Sequence, residues 1–451
     1  MDDWGKDMAD RTVGRLSHRL GVVCLLLVAC INAGCVSGRT YRTQLHTSDY
    51  CIFKAKGDCP QEVLHQVGET PSKSPPVLLG YVEFDDQGYL REPESKENLM
   101  RQIRAIDSDR PVLMVVFAHG WKHNAAPDDG NVEAFAQFLR KIAKADAQAC
   151  ENRACAPRQV VGMYLGWRGL SNKVEPFKTL TFWGRKGRAH RVGTDGATEV
   201  LAELAKIKAT RRNNRLIVTG HSFGGALVYN SLNQLLIRDT AFANKEGTVA
   251  RNAADLVVLV NPAFEAARFN ALQRKASGMT FKPGQMPILA IFTSQADTAT
   301  KRAFPAGRAL ATLFSEHSTP EQRRQNIQAI GHYAPYRTHT LMQLATPATV
   351  DFKDFACAWK AYSIGTSNRW NVGAVALART PAKPESSQSS LESARFNPYM
   401  VVGVEKGIIS GHNEIWGDEF SDFLYRFVAV QRYGGHCGTA EDSTQQEQEQ
   451  D

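Results

Sequence analysis

No stretch beyond residue 40 approaches the roughly 20 apolar residues that a membrane-spanning helix needs, which excludes a polytopic membrane protein. There is no Gly-X-Y pattern, heptad array or repeat of roughly 20–50 residues, so collagen, coiled-coil and solenoid architectures drop out. Charge is not in excess either. Charged residues make up 22% of the chain against 43% hydrophobic residues, an ordinary globular balance that excludes wholesale disorder. What is left is a chain of 451 residues with enough apolar material for a large core and no need of metal or disulfide staples to fold.

The amino terminus carries an export signal. Arg11, Arg15 and Arg19 precede the apolar run GVVCLLLVACI, and small residues then lead to Asn32-Ala33-Gly34-Cys35. A basic segment, a short apolar core and a small-residue cleavage site describe a secretory signal, here residues 1–34. A cysteine directly after Ala-Gly resembles the lipobox of bacterial lipoproteins, in which the thiol is acylated and becomes residue one. Leu27-Val28-Ala29-Cys30 is a competing lipobox. Parity favours Cys35: cleavage there lipidates one cysteine and leaves six of nine, an even number for an oxidising compartment. Sequence-local pairing then suggests Cys51–Cys59 and Cys150–Cys155, with Cys357–Cys437 left by elimination. Val36 follows Cys35, so the Asp that marks inner-membrane retention in some bacteria is missing, and which membrane holds the lipid stays open.

The net charge is +8, and the last eleven residues hold five acids and no base. Basic residues cluster at Arg185–Arg191 and at Arg211-Arg212. Such clusters suit anionic headgroups or an acidic substrate, or simply a solvated face. No nucleic-acid motif accompanies them, and export argues against a nucleic-acid partner.

Residues 35–76 read as a tether with a small disulfide-bearing piece. From residue 77 onward, strand and helix signals alternate. Strand-like runs are Val77–Phe84, Pro111–Ala118, Gln159–Leu165, Arg215–Thr219, Asp255–Val260, Pro287–Thr293 and Tyr399–Val404. They are short, rich in Val, Ile and Leu, and apolar on both faces, as parallel strands covered on both sides must be. Helical patterns lie at Val132–Ala145, Thr198–Lys208, Gly225–Ile237 and Ala263–Arg274. The alternation predicts an α/β fold: one domain over 77–437, built on a mostly parallel sheet of seven or eight strands with helices on both faces. Residues 167–197 break the alternation and read as a basic, Gly-rich connection. Residues 302–396 form a lid-like insertion before the last strand, with a Ser/Pro-rich run at Thr380–Ser393. Residues 438–451 read as a disordered acidic tail.

The central motif is Gly220-His221-Ser222-Phe223-Gly224-Gly225, set between the strand RLIVT and a helical pattern. In that context Gly-x-Ser-x-Gly is a nucleophile elbow, a sharp turn whose small neighbours leave room for an exposed serine hydroxyl. A serine hydroxyl is a poor nucleophile at neutral pH and needs a base oriented by an acid. Asp297 follows the strand PILAIFT and is the candidate acid. Glu265, after DLVVLV, competes with it, although it also reads as a first-turn helix residue. His412, on the loop after the last strand, is the candidate base. The backbone N–H groups of Phe223 and of Trp121, in the loop His119-Gly120-Trp121, are the candidate oxyanion donors, with Gly120 letting the backbone approach. His119 can hold that loop in shape.

With these residues the chain resembles the α/β-hydrolase superfamily, and within it a bacterial esterase- or lipase-like lipoprotein. The likeness rests on HGW at 119–121, GHSFGG at 220–225, the post-strand Asp297 and GHN at 411–413, in that order. It implies a serine hydrolase acting on carboxylic esters through an acyl-enzyme, with no metal and no cofactor. Its expected setting is the cell envelope, anchored to a membrane and facing the periplasm or the exterior. A small-molecule or lipid ester is the implied substrate. A lipase, phospholipase or thioesterase using the insertion as a lid, and a non-catalytic envelope binding protein on the same scaffold, remain open readings. Acyl chain length and oligomeric state are also open.

Overall fold

The computed structural model describes residues 38–45, 50–69, 75–151, 155–169, 177–244, 247–348, 351–380 and 396–433. The signal, both lipobox cysteines, most of the Ser/Pro run, Cys437 and the acidic tail lie outside them.

The strand-like runs form strands because each can bury both faces. In chain order the strands are β1 (Ile52–Phe53), β2 (Leu64–Val67), β3 (Leu78–Glu83), β4 (Val112–Ala118), β5 (Gln159–Gly166) and β6 (Arg215–His221). They continue with β7 (Leu256–Val260), β8 (Leu289–Ser294), β9 (His339–Gln343), β10 (Arg369–Val372), β11 (Val375–Arg379) and β12 (Tyr399–Val404). All twelve join one sheet in the order β1-β2-β3-β5-β4-β6-β7-β8-β12-β9-β11-β10. The strands from β3 to β9 in that order run parallel. Every residue of β4, β5, β7, β8 and β12 is buried.

Alternation along a strand divides the core in two. On β4, Met114, Val116 and Ala118 face one cluster; Leu113, Val115 and Phe117 face the other. The first cluster takes the apolar faces of α1 (Pro93–Asp109), α3 (Phe177–Thr194), α4 (Gly196–Thr210), α5 (Phe223–Ala241) and α6 (Asn270–Ser277). The second takes α2 (Gly130–Glu151), α9 (Phe352–Ser363) and α10 (Asp418–Tyr433). The fold is thus that of an α/β hydrolase, with two further helices, α7 (Phe304–Ala311) and α8 (Pro320–Ile327), discussed below.

Four expectations change. The sheet has twelve strands, not seven or eight, because β1 and β2 arise in the stretch read as a tether and β9–β11 arise inside the insertion. The second half of the insertion therefore extends the sheet edge instead of lying over it. Trp359 and Trp370, both buried, meet edge to face at 5.0 Å, and Phe423 of α10 lies 5.7 Å from Trp370. The connection 167–197 contains a full helix, α3. Its Gly193 serves close packing: a Cβ there would stand 2.5 Å from the Leu227 carbonyl oxygen of α5. Two cations of the basic cluster on α3, Arg185 and Lys186, are not on a solvated surface. Arg185 is fully buried, with Nη1 2.9 Å from Asp86 Oδ1 and 2.7 Å from the Arg168 carbonyl oxygen, and Lys186 bonds Glu265. Charges at such positions must be paired, and these are. The disulfides Cys51–Cys59 and Cys150–Cys155 are formed. Among the described residues Cys357 has no disulfide partner, and Cys437 lies outside them.

Because Trp370 fills the same core as α10, Trp370→Ala should lower global stability by about 3–5 kcal/mol. Urea unfolding should remain a single transition. A separate early transition would show that the insertion is an independent unit.

Candidate active site

The site lies where the parallel strands end. β6 runs into Ser222, which adopts φ 54° and ψ −118°, and α5 starts at the next residue. A serine with positive φ is strained, and it stays so because both flanks hold it. Its N–H donates to the Val260 carbonyl at 3.0 Å, and its carbonyl accepts from Ala226 at 3.2 Å and Ala263 at 3.0 Å. The first amides of a helix have no intrahelical acceptor, so the Phe223 N–H sits at the positive end of α5.

His412 Nε2 lies 2.8 Å from Ser222 Oγ, and its Nδ1 lies 2.9 Å from Asp297 Oδ1. With the ring proton on Nδ1, facing the carboxylate, Nε2 accepts from the serine hydroxyl. Asp297 is fully buried. Burial pushes its carboxyl up, but His412 and Thr300 outweigh this and hold it below the ordinary carboxylate range. Thr300 donates twice to it, from N at 3.0 Å to Oδ1 and from Oγ1 to Oδ2. Thr300 Oγ1 in turn lies 3.0 Å from His332 Nε2.

Glu265 is placed elsewhere. Its carboxylate meets Lys186, Arg308 at 2.9 Å and Arg268 at 3.2 Å. Burial raises its pKa, yet Lys186 and Arg308 bring it down to about 2. It ties α3 to the segments following β7 and β8.

The loop after β4 passes directly over Ser222. A Cβ on Gly120 would stand 2.9 Å from Ser222 Cβ and 2.8 Å from His221 Nδ1, so only glycine fits. This brings the backbone at Gly120 beside the serine. His119 shapes the loop. Its Nε2 accepts from Trp167 N–H at 3.1 Å, which leaves Nδ1 to donate to the Gly120 carbonyl at 2.9 Å. The Trp167 indole stacks on it at 5.5 Å and donates to its carbonyl at 3.0 Å. Burial lowers the His119 pKa to about 4, so the ring is neutral at pH 7.

Sequence reasoning missed the residues that hold the base. His221 Nε2 donates to the His412 carbonyl at 2.8 Å. Asn261, itself at φ 46°, donates from Nδ2 to the same oxygen at 3.0 Å and accepts from Ser294 N–H at 2.9 Å. His221 was in view inside GHSFGG, but nothing in the sequence gave its acceptor. Asn261 stands directly after β7, the one available hint.

Buried neutral histidines make stability depend on pH. Burial and the neighbouring His412 hold His221 at about 3 against an ordinary 6.5. Above pH 6.5 neither state binds this proton; below it the unfolded chain does, so stability falls as the medium is acidified. His221→Gln should therefore shrink the loss of unfolding free energy between pH 7 and pH 5 by about 2 kcal/mol, read from urea midpoints at the two pH values. An unchanged difference would mean that His221 titrates normally in the fold.

Residues 93–308 match a family described as an alpha/beta hydrolase of unknown function (DUF900). No curated protein sequence matches the chain. Among solved structures, phospholipase PlaB from Legionella pneumophila is similar at 11% identity, over 60% of this chain and 50% of that one, with a TM-score of 0.28. Its complex with thio-NAD gives 12%, 74% and 64%, with a TM-score of 0.30. A Trichoderma reesei cutinase solved with a phosphonate inhibitor gives 16%, 40% and 80%, with a TM-score of 0.16. The chain spans about half the length of the first of these phospholipase structures. Likenesses at this level carry no information on substrate. The sheet order and the family match over 93–308 agree on an α/β-hydrolase fold.

Proposed function

We propose that the protein is a serine hydrolase that cleaves carboxylic esters through an acyl-enzyme, exported and tethered to a bacterial membrane by a lipid on Cys35. The observation that supports the chemistry is the unbroken contact from Ser222 Oγ through the His412 ring to Asp297, at 2.8 and 2.9 Å. Direct proton transfer needs separations of this order.

In this reading Ser222 Oγ attacks the ester carbonyl carbon while its proton passes to His412 Nε2. The buried Asp297 carboxylate stabilises the resulting imidazolium. The carbonyl oxygen becomes an anion facing the N–H groups of Phe223 and Trp121. As the C–O bond to the alcohol breaks, His412 returns the proton to the departing oxygen. Water then repeats the sequence on the acyl-serine: it gives a proton to His412, releases the acid and restores the hydroxyl. The neutral His119 suits its place, since it keeps the loop in shape without a titratable charge beside the oxyanion.

Hydrolysis of p-nitrophenyl butyrate tests this reading. Ser222→Ala and His412→Ala should each lower kcat by about 10⁴–10⁶-fold, and Asp297→Asn by about 10⁴-fold. Gly120→Val, which displaces the loop, should cost about 10²–10³-fold. Full activity in Ser222→Ala would exclude the mechanism.

The anchor is supported by the basic segment, the apolar run and the Ala-Gly-Cys sequence. In this reading the protein belongs to the cell envelope, facing the periplasm or the exterior. Mass spectrometry of the membrane fraction should find an acylated chain beginning at Cys35. An unmodified chain beginning at Met1 would refute the anchor.

A further inference from the structure

The chain leaves the C-terminal edge of the sheet at Asp297 and comes back to it at His332. These two feet are bonded to each other through Thr300, which also holds the Asp297 carboxylate. Between them α7 and α8 form a helical hairpin. Its inner side is fixed: Phe304 is fully buried with Lys186 Nζ 5.4 Å from its ring centre, and Arg308 reaches Glu265 and, at 2.7 Å, Asn326 Oδ1 of α8. Its tip is the opposite. Leu310, Leu313 and Phe314 are 76%, 64% and 98% exposed within five residues. A cluster of large apolar side chains held in water needs a reason.

The surroundings of the tip are basic. Residues 299–327 carry five Lys and Arg and two Glu, and Lys301, Arg302 and Arg323 are exposed. Apolar side chains fringed by cations suit the boundary of an anionic bilayer, where the rings and branched chains enter the acyl region and the cations stay near the phosphates.

A second observation selects the bilayer over a protein partner. The N-terminal segment joins the fold at this same edge. Tyr41 and Arg42 N–H both donate at 2.8 Å to Oε1 of Glu83, the last residue of β3. Gly38, Arg39 and Tyr41 line a cleft with Asn124, Trp167 and Arg168, just behind the loop over Ser222. In the anchor reading the lipidated Cys35 stands only three positions before Gly38, so the lipid joins the chain close to this edge.

We propose that the tip Leu310–Phe314 docks into an anionic phospholipid surface. The sheet edge that carries Ser222 then faces the ester groups of the membrane that holds the anchor. The choice of occupant rests on the anchor reading given above; the exposed tip does not.

The test uses the full chain, carrying Ser222→Ala so that turnover plays no part, reconstituted into vesicles of phosphatidylcholine and phosphatidylglycerol with brominated acyl chains. Phe314→Trp should add a fluorescence component quenched at least about two-fold by the brominated chains. Phe242→Trp provides the comparison. Phe242 is 83% exposed but follows the far end of α5, on the opposite edge of the sheet, and its component should stay unquenched. Absence of quenching at 314 while the chain stays with the vesicles overturns docking. Equal quenching without phosphatidylglycerol overturns the role of the basic fringe. A concentration-dependent shift of the 314 signal without vesicles would point instead to a second copy of the chain and would also overturn it. None of these outcomes depends on ester hydrolysis, so the docking and the proposed activity fail separately.

Discussion

The reversal of the chain at Ser222 is the constraint on which the rest of the candidate site depends. A strained residue of this kind costs on the order of 1–3 kcal/mol and survives only where its surroundings leave no alternative. Here β6 is central in the sheet, with β4 and β7 as neighbours, and α5 is packed into the larger core cluster. The backbone at 222 is held from both sides, so the hydroxyl cannot relax away from the edge. The close passage of Gly120 over it follows from the same crowding.

A second set of bonds fixes the candidate base. His412 sits on a loop, the least rigid support available, yet its carbonyl is gripped by His221 and Asn261 while its ring spans Ser222 and Asp297. Two of these residues flank the elbow in space: His221 ends β6, and Asn261 follows β7. The loop is thus pinned by the strands that present the serine, and the distance from hydroxyl to imidazole is set by the sheet. The candidate acid is fixed differently, through Thr300, at the foot of the hairpin whose tip is exposed.

Much of this was legible in the sequence because the signals were local. Strands buried on both faces show as continuous apolar runs, and the seven that were read differ from the observed ones by at most two residues at an end. The order Ser222, Asp297, His412 and their places after strand ends could be read in the same way. The missing parts were those that depend on partners distant in the chain. β1 and β2 are too short to show a period and exist because β3 offers an edge. The cations of α3 read as a surface because Asp86 and Glu265 lie about 80–100 residues away and only the fold brings them close. The glycines of α3 suggested a loop, whereas one of them, Gly193, permits close contact with α5. Glu265 was a fair competitor for the acid until its three cationic neighbours were in place.

The central claim is that Ser222 is a nucleophile activated by His412. Reaction of the intact protein with a fluorophosphonate, followed by peptide mapping, tests it most directly, because that reagent phosphonylates a serine only when a base removes its proton. The account predicts one stoichiometric adduct, on the peptide that contains Ser222, lost when His412 is replaced by Ala. A folded protein that stays unlabelled, or one labelled elsewhere with Ser222 intact, would contradict it.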